Sequence, residues 1–441
     1  MRAFLLALVA VALGARSGAA AELSAVVQKR SVDLYAEPKL DAAPVAKLKR
    51  DTQVEVSAQQ GLWYQVRAES GAAGFVRVND VRIAYGGQED AAANLRALTE
   101  HKAGVGRVTE TAGVRGIDES DLKSASYDAA QLAAMIGNRV DAAAAAAYAA
   151  KQGRSATVVA YDAEARPAAS SGTPDVAAKS KSAAKAVGGL LGSFGLPSPS
   201  RVGSAIDALP TPNAQSAADE RALGPEITGR ILGARPLWKD AAAQQRVNLV
   251  GRWVASQTSR ADLPWSFGVI DTPEINAFAA PGGFILVTRG LYELLSSDSE
   301  VAAVLGHEIS HCVQSDHYNV IRKQEMATYG KDLALQDVNV SVNNVAADHA
   351  RRYAEEHGAA IVLTSLDREA EYRSDEAAEI YLARAGMNPL ALYAVLQKMT
   401  ALGDESAALA QLYKTHPTLA ARLDRIDRRG YGALESYLAR E

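Results

Sequence analysis

The sequence is poor in cysteine, in unbalanced charge and in long apolar runs, and each shortage excludes a class of protein. Its single cysteine, Cys312, excludes an intramolecular disulfide and a cysteine-based metal cluster. A net charge of −4 argues against a nucleic-acid-binding surface, so we expect no nucleic-acid partner. Beyond the N-terminus no stretch reaches about 18 uninterrupted apolar residues, so we expect no transmembrane helix in the mature chain.

The length and the hydrophobic content suffice for two or three folded domains, because 441 residues of which 48% are hydrophobic can bury a sizeable core. The first 21 residues have the layout of a secretory signal peptide, in which Met1 and Arg2 precede an apolar run and a small-residue stretch ends at Ala21. An uncleaved anchor is the alternative, since Arg16 lies just before the expected cut. With cleavage, the mature chain is periplasmic or secreted.

Residues 22–86 predict a small all-β barrel. Five short β-rich segments are separated by turn formers, at residues 26–27, 32–35, 54–56, 63–66 and 74–78. The run from Gly61 to Val66, followed by Gly74-Phe75-Val76, resembles a bacterial SH3-type domain. The resemblance implies a peptide or peptidoglycan ligand. Four aromatic residues either line a groove for it or belong to the core: Tyr35, Trp63, Tyr64 and Phe75.

The middle of the chain carries less information. Residues 87–164 are expected to be mainly helical, with an unbroken alanine run from Ala142 to Ala147, and their role is unknown. Residues 165–215 are rich in alanine, serine, glycine and proline, which is typical of a linker. From residue 216 to 441 two helical patterns precede three short strands, and helical patterns follow. This order predicts an α+β domain that is mainly helical with a small sheet.

One motif in this domain carries the chemistry. His307-Glu308-Ile309-Ser310-His311 is H-E-x-x-H, at the end of an amphipathic run for which Ser297 or Asp298 is the expected N-cap. Residues four apart share one face of a helix, so both imidazoles can reach one Zn²⁺. Glu308 is rotated to the side of the metal, where it can act as a general base on water.

A catalytic zinc needs a third protein ligand and an open position. Glu371 and Asp375 are four residues apart and share a helical face, and spacing alone leaves open which of them binds the metal and which supports a histidine. Three nearby acids are expected to be solvated: Glu369, Glu376 and Glu379.

These motifs stand in the order found in zinc metallopeptidases of the HtpX and CAAX-prenyl-protease type, metallopeptidase family 48, which residues 217–430 resemble. The matching stretches are residues 276–285, 288–291, 300–311, Glu371 to Asp375, and His416-Pro417 with Arg422. The resemblance implies a zincin fold of the gluzincin type and one Zn²⁺ per chain.

The resemblance also assigns roles to individual residues. It implies that His307, His311 and Glu371 bind zinc and that Glu308 is the general base and later acid. It implies that Asp375 supports one of the two histidines, and that the strand with Asn276 and Ala277 pairs with an extended substrate, as an edge strand can.

Two further residues have open roles. His416 could donate a hydrogen bond to the oxyanion, occupy the fourth coordination position until substrate displaces it, or cap a helix. Arg422 pairs either with a site carboxylate or with solvent. Cys312 is expected to be a small core residue.

The function expected from these observations is that of an exported zinc endopeptidase acting on extended or misfolded segments of proteins, in envelope protein quality control. The rival class is a zinc-containing holdase or cell-wall-anchored binding protein, which closure of the metal by His416 would favour. A third possibility is an amidase acting on cell-wall peptides.

Overall fold

The computed structural model describes residues 23–84, 98, 119–164, 214–321, 366–403 and 406–440. The predicted signal peptide lies outside the described residues, and so does all but the end of the predicted linker. Among the described residues, every helix is too short or too polar to cross a bilayer.

The N-terminal part is a seven-stranded antiparallel sheet. Its strands are β1 (Leu23–Val27), β2 (Ser31–Tyr35), β3 (Pro44–Lys49), β4 (Gln53–Gln60), β5 (Trp63–Ala68), β6 (Ala73–Arg77) and β7 (Val81–Ile83), in the spatial order β3-β2-β6-β5-β4-β1-β7. Alternate residues along the strands are buried, which gives the module its own core. Of the predicted aromatic set, Trp63 and Tyr64 are buried, while Tyr35 and Phe75 are half-buried.

Within residues 119–164 the chain forms three helices, namely α1 (Glu119–Ser124), α2 (Ala129–Gly137) and α3 (Ala142–Lys151). The alanine run lies in α3, whose N-cap Asp141 accepts a hydrogen bond from the backbone N–H of Ala144. These helices pack on the C-terminal part: α2 contacts α4 (Ala214–Ala234) and α3 contacts α5 (Ala241–Ala255). The predicted boundaries between domains remain predictions.

The C-terminal part has a small sheet and a set of helices, which confirms the α+β class. The sheet has the order β8-β10-β9, with β8 (Ser266–Ile270) parallel to β10 (Phe284–Thr288) and β9 (Ala277–Ala280) antiparallel to it. Further helices of the described residues are α6 (Arg289–Leu294), α7 (Asp298–Val313), α8 (Arg368–Arg384), α9 (Leu390–Thr400), α10 (Leu412–Thr415) and α11 (Leu419–Arg429), and residues 316–321 are helical as well. All three strands are buried along their length.

The motif helix α7 begins after the N-cap Ser297, whose hydroxyl accepts a hydrogen bond from the N–H of Glu300. It packs closely along α8, and Gly306 permits this approach, because a Cβ there would lie 3.3 Å from Cα of Ala378. The contact brings the H-E-x-x-H turn of α7 against the turn of α8 that carries Glu371 and Asp375.

The N-terminal sheet is joined to this domain through buried polar side chains. The side chain of Gln397 on α9 accepts a hydrogen bond from the N–H of Ile83 and donates to the carbonyls of Val78 and Val81. Gln59 on β4 donates to the carboxylate of Glu300 in the first turn of α7, at 3.3 Å. The sheet therefore contacts the N-terminal end of the helix that bears the motif.

Candidate metal centre

Four donor atoms converge between α7, α8 and the end of α10. Nε2 of His307 lies 3.3 Å from Nε2 of His311, and these two atoms lie 3.4 and 3.6 Å from the carboxylate oxygens of Glu371. Nε2 of His416 lies 3.6 Å from Oε2 of Glu371. Within the described ranges these four residues form a group whose donor atoms are all within 4.8 Å of one another.

The spacing of these atoms fits a tetrahedral zinc ion. Bonds of about 2.0–2.1 Å from a tetrahedral centre place neighbouring ligand atoms about 3.3–3.4 Å apart. Nε2 of His307 lies at such separations from Nε2 of His311, 3.3 Å, and from Oε2 of Glu371, 3.4 Å, while Nε2 of His311 lies 3.6 Å from the other oxygen, Oε1. Oε2 of Glu371 is also buried without a hydrogen-bond partner, which is costly unless another group binds it. Two imidazoles and a carboxylate therefore suit a metal ion.

The ring of His307 is fixed from behind by Asp375. Oδ1 of Asp375 lies 3.0 Å from Nδ1 of His307, so the Nδ1–H tautomer leaves Nε2 free for the metal. Arg422 holds the same carboxylate with both Nε, at 3.0 Å from Oδ2, and Nη2, and its side chain is buried. Of the two alternatives for Arg422, the structure therefore shows the pairing with a site carboxylate.

The second imidazole is held by a residue that the sequence pattern does not indicate. Oδ2 of Asp316 lies 2.9 Å from Nδ1 of His311, and Arg373 donates to Oδ1 of the same carboxylate at 2.7 Å. The hydroxyl of Ser374 also lies 3.2 Å from that Nδ1. Asp316 follows the end of α7, where helical spacing gives no indication of which way a side chain points.

Burial and neighbouring charges shift the pKa values of these groups. Burial and Arg422 act to lower the pKa of His307, but the hydrogen bond to Asp375 and the adjacent carboxylate of Glu371 outweigh them and raise it to about 9. Burial would raise the pKa of Asp375, yet Arg422 holds it well below its usual range. Burial lowers the pKa of His416 to about 3. Without a metal the centre thus holds anionic carboxylates, which favours a cation.

The donors His311, Glu371 and His416 line a cleft. Glu308 lies in this cleft but outside the donor group. Its side chain is buried, and this burial raises its pKa above the ordinary glutamate value. It lines the cleft together with Ala277, His317 and His416. A buried carboxylate beside a metal position is suited to accept a proton from water.

The strand expected to pair with substrate also borders the cleft. Ala277 begins β9 and lines the cleft, while Asn276 lies one residue before the strand and is fully buried. Oδ1 of Asn276 accepts a hydrogen bond from the N–H of Ala277, and its Nδ2 has no partner among the described residues. Among the described strands β9 pairs only with β10, so its other edge is free of β pairing.

The expectation for one of the three nearby acids was wrong. Glu369 is exposed and Glu376 is about half exposed, but Glu379 is completely buried and accepts a hydrogen bond from Arg429. Glu379 lies on the face of α8 that α11 covers, and this packing brings Arg429 from 50 residues away. Cys312, by contrast, is a buried core residue as expected.

The arrangement of a helix with H-E-x-x-H, a glutamate from a second helix and carboxylates behind the imidazoles defines a metal centre of the metallopeptidase class. Comparison with known sequences agrees, because residues 241–430 match peptidase family M48 and residues 30–81 match the bacterial SH3 domain family. The chain therefore carries a peptidase M48 domain and a bacterial SH3 domain.

Several curated proteins are similar to the peptidase part. The beta-barrel assembly-enhancing protease of Escherichia coli (strain K12) is 26% identical over 47% of this chain and 43% of its own length. The mitochondrial metalloendopeptidase OMA1 of Arabidopsis thaliana is 30% identical over 35% of this chain and 30% of its own length. The metalloprotease LoiP of Escherichia coli (strain K12) is 26% identical over 37% of this chain and 62% of its own length. The chain thus spans less than two thirds of the length of each of these relatives.

Proposed function

We propose that this protein is an exported zinc-dependent endopeptidase that hydrolyses peptide bonds in extended or misfolded protein segments. The observation that carries the proposal is the convergence of the Nε2 atoms of His307 and His311 with the carboxylate of Glu371, at separations of 3.3–3.6 Å that suit ligands of one zinc ion. The peptidase M48 domain and the protease names of its relatives support the same class.

In this proposal His307, His311 and Glu371 hold one zinc ion per chain. The ion supplies Lewis-acid chemistry, polarising the scissile carbonyl and making water a better nucleophile at neutral pH. The chain's own residues orient the ligands: Asp375 fixes the ring of His307 and Asp316 that of His311, and Arg422 keeps Asp375 anionic.

Glu308 acts as the general base and then as the general acid. Its carboxylate takes a proton from the attacking water and delivers it to the nitrogen of the leaving amine. A pKa raised by burial serves both steps, because the group must accept and release a proton near neutral pH. Its place in the cleft beside Ala277 puts it next to the path proposed for the peptide.

We propose that the substrate binds as an additional strand along the free edge of β9. Such a strand is held by main-chain hydrogen bonds, which favours extended or unfolded segments over folded ones. Ala277 offers its backbone to the peptide, and the unpaired Nδ2 of Asn276 is a further donor near the start of this edge.

His416 is the fourth member of the donor group, with Nε2 3.6 Å from Oε2 of Glu371. It either withdraws when substrate binds or donates a hydrogen bond to the substrate oxygen, and His416→Ala separates the two roles. A gain of cleavage indicates that His416 closes the centre, and a loss indicates that it assists the reaction. The protease names of the relatives favour cleavage over the non-cleaving holdase. Absence of cleavage in both wild type and His416→Ala, with zinc bound, would favour the holdase.

The cellular setting is also part of the proposal. The apolar N-terminal run supports export to the periplasm or beyond, and the name of one relative, a beta-barrel assembly-enhancing protease, supports a role in envelope protein quality control. The bacterial SH3 domain is proposed to bind a peptide or peptidoglycan.

The test is cleavage of unfolded casein by purified wild type, Glu308→Gln and Glu369→Gln. Glu369 is an exposed carboxylate close to the centre, so its variant is the matched control. We expect wild type and Glu369→Gln to cleave equally and Glu308→Gln to be slower by about 10²–10⁴-fold. Equal rates for wild type and Glu308→Gln would end the enzyme hypothesis.

A further inference from the structure

A histidine outside the motif and outside the donor group also faces the cleft. His317 lines it together with Ala277, Glu308 and His416, and only 8% of His317 is exposed. Its ring centroid lies 5.8 Å from that of His311, much as His416 lies 5.4 Å from His307. Each motif imidazole thus has one further imidazole beside it.

One ring nitrogen of His317 has no partner in the part of the chain that the structure describes. Its Nδ1 is buried without a hydrogen bond to any described residue. The metal-facing donor atoms that lie within 4.8 Å of one another do not include those of His317. A buried polar group without a partner is destabilising, so its presence in a cleft points to a ligand that satisfies it.

The backbone that positions His317 is held in an unusual conformation. The helix α7 ends at Val313, and Ser315 adopts a left-handed conformation with φ of 54°, which is unfavourable for a residue other than glycine. Arg260 fixes this turn by donating to the carbonyl of Cys312 and to the hydroxyl of Ser315, each at 2.9 Å.

A buried carboxylate secures that arginine. Glu220 pairs with Arg260 at 2.9 Å and accepts a hydrogen bond from the Ser315 hydroxyl at 3.1 Å. The same turn directs Asp316 to His311 and His317 into the cleft. Strain that is kept in place by a buried ion pair at a candidate active site indicates that the position of these side chains matters.

We propose that His317 is a substrate-binding residue, whose imidazole N–H donates a hydrogen bond to a backbone carbonyl of the peptide on the His311 side of the metal. The proposal rests on the proposed function, because it requires that an extended peptide occupies the cleft along β9. A peptide carbonyl suits the site, since every segment of unfolded protein offers one to a donor at this place.

The test compares wild type, His317→Ala, His317→Gln and the control Asn319→Ala in cleavage of a fluorogenic casein-derived peptide. Asn319 is exposed two residues further on. We expect His317→Ala to raise KM about 5–10-fold, the loss of one hydrogen bond to substrate, with kcat changed less than about 3-fold. His317→Gln should recover part of the affinity because its amide still donates. Zinc content should stay at the wild-type value in all four.

Three results would overturn the proposal: an unchanged KM in His317→Ala, loss of zinc from that variant, or a fall in kcat alone. A second measurement separates this inference from the proposed function. In the Glu308→Gln background, fluorescence anisotropy measures binding of the same peptide without cleavage, and adding His317→Ala should weaken it by a similar factor. Equal binding with and without His317 refutes the inference, whereas failure of wild type to cleave refutes the proposed function alone.

Discussion

Replacing Lys398 by methionine tests how the N-terminal sheet and the motif helix are stabilised at their junction. Nζ of Lys398 on α9 lies 2.8 Å from Oε2 of Glu300 in the first turn of α7, and the two side chains are 0% and 2% exposed. Glu300 also accepts hydrogen bonds from the N–H of Ser296, at 2.7 Å, and from Gln59 of the sheet.

The size of the effect follows from burial. Removing one partner of a buried ion pair leaves an uncompensated charge and costs about 3–5 kcal/mol, whereas an exposed pair contributes about 0–1 kcal/mol. Lys398→Met should therefore lower the free energy of unfolding by about 3–5 kcal/mol. Combining it with Glu300→Gln removes both charges, so the double variant should be more stable than Lys398→Met alone.

The assay is urea unfolding of the full chain, followed by tryptophan fluorescence and circular dichroism. Lys414→Met is the control, because Lys414 is exposed and its loss should change the free energy of unfolding by less than about 0.5 kcal/mol. A loss below about 1 kcal/mol in Lys398→Met, or a double variant as unstable as the sum of the two single ones, would refute the reasoning.

Three further predictions concern single residues. Asp316→Ala should lower zinc affinity about 10–100-fold in a chelator competition, because it releases Nδ1 of His311, and unchanged affinity would contradict this role. Burial raises the pKa of Glu379 to about 8, so the folded protein keeps a proton that the unfolded chain releases near pH 4.5. Stability from this group is present at pH 5 and is lost as pH rises through 8, by at most about 5 kcal/mol. Measured against Glu379→Gln in urea, wild type should lose stability over this range, and a constant difference would contradict the shift. Gly290→Ala should reduce the free energy of unfolding by about 1–3 kcal/mol or more, because its Cβ would lie 2.0 Å from the carbonyl oxygen of Pro273, and a variant with the stability of wild type would contradict that contact.

Local spacing predicted much of the site. The i, i+4 relation of His307 and His311 holds on α7, and the same relation on α8 brings Glu371 and Asp375 to one face. Spacing left the roles of those two acids open. The structure distinguishes the two acids by the ring nitrogen that each one contacts. Glu371 lies beside the metal-facing Nε2 of His307, and Asp375 lies beside its Nδ1.

Features set by tertiary packing or unusual backbone could not be predicted from the sequence. Asp316 and His317 follow a left-handed turn at Ser315, and no residue pattern in the sequence indicates that turn. The burial of Glu379 depends on Arg429, which arrives on a different helix. The sheet showed a similar limit: five of its strands were predicted, whereas β3 and β7 were missed because their alternation is weak or short.

The most direct test of the account is the zinc content of the purified full chain, measured by inductively coupled plasma mass spectrometry after dialysis against a weak chelator. Wild type and the exposed-site control Glu369→Gln should each hold one zinc ion per chain. Glu371→Gln should hold far less, because its amide replaces a carboxylate ligand. Wild type without zinc, or Glu371→Gln with the zinc content of wild type, would contradict the assignment of the metal centre.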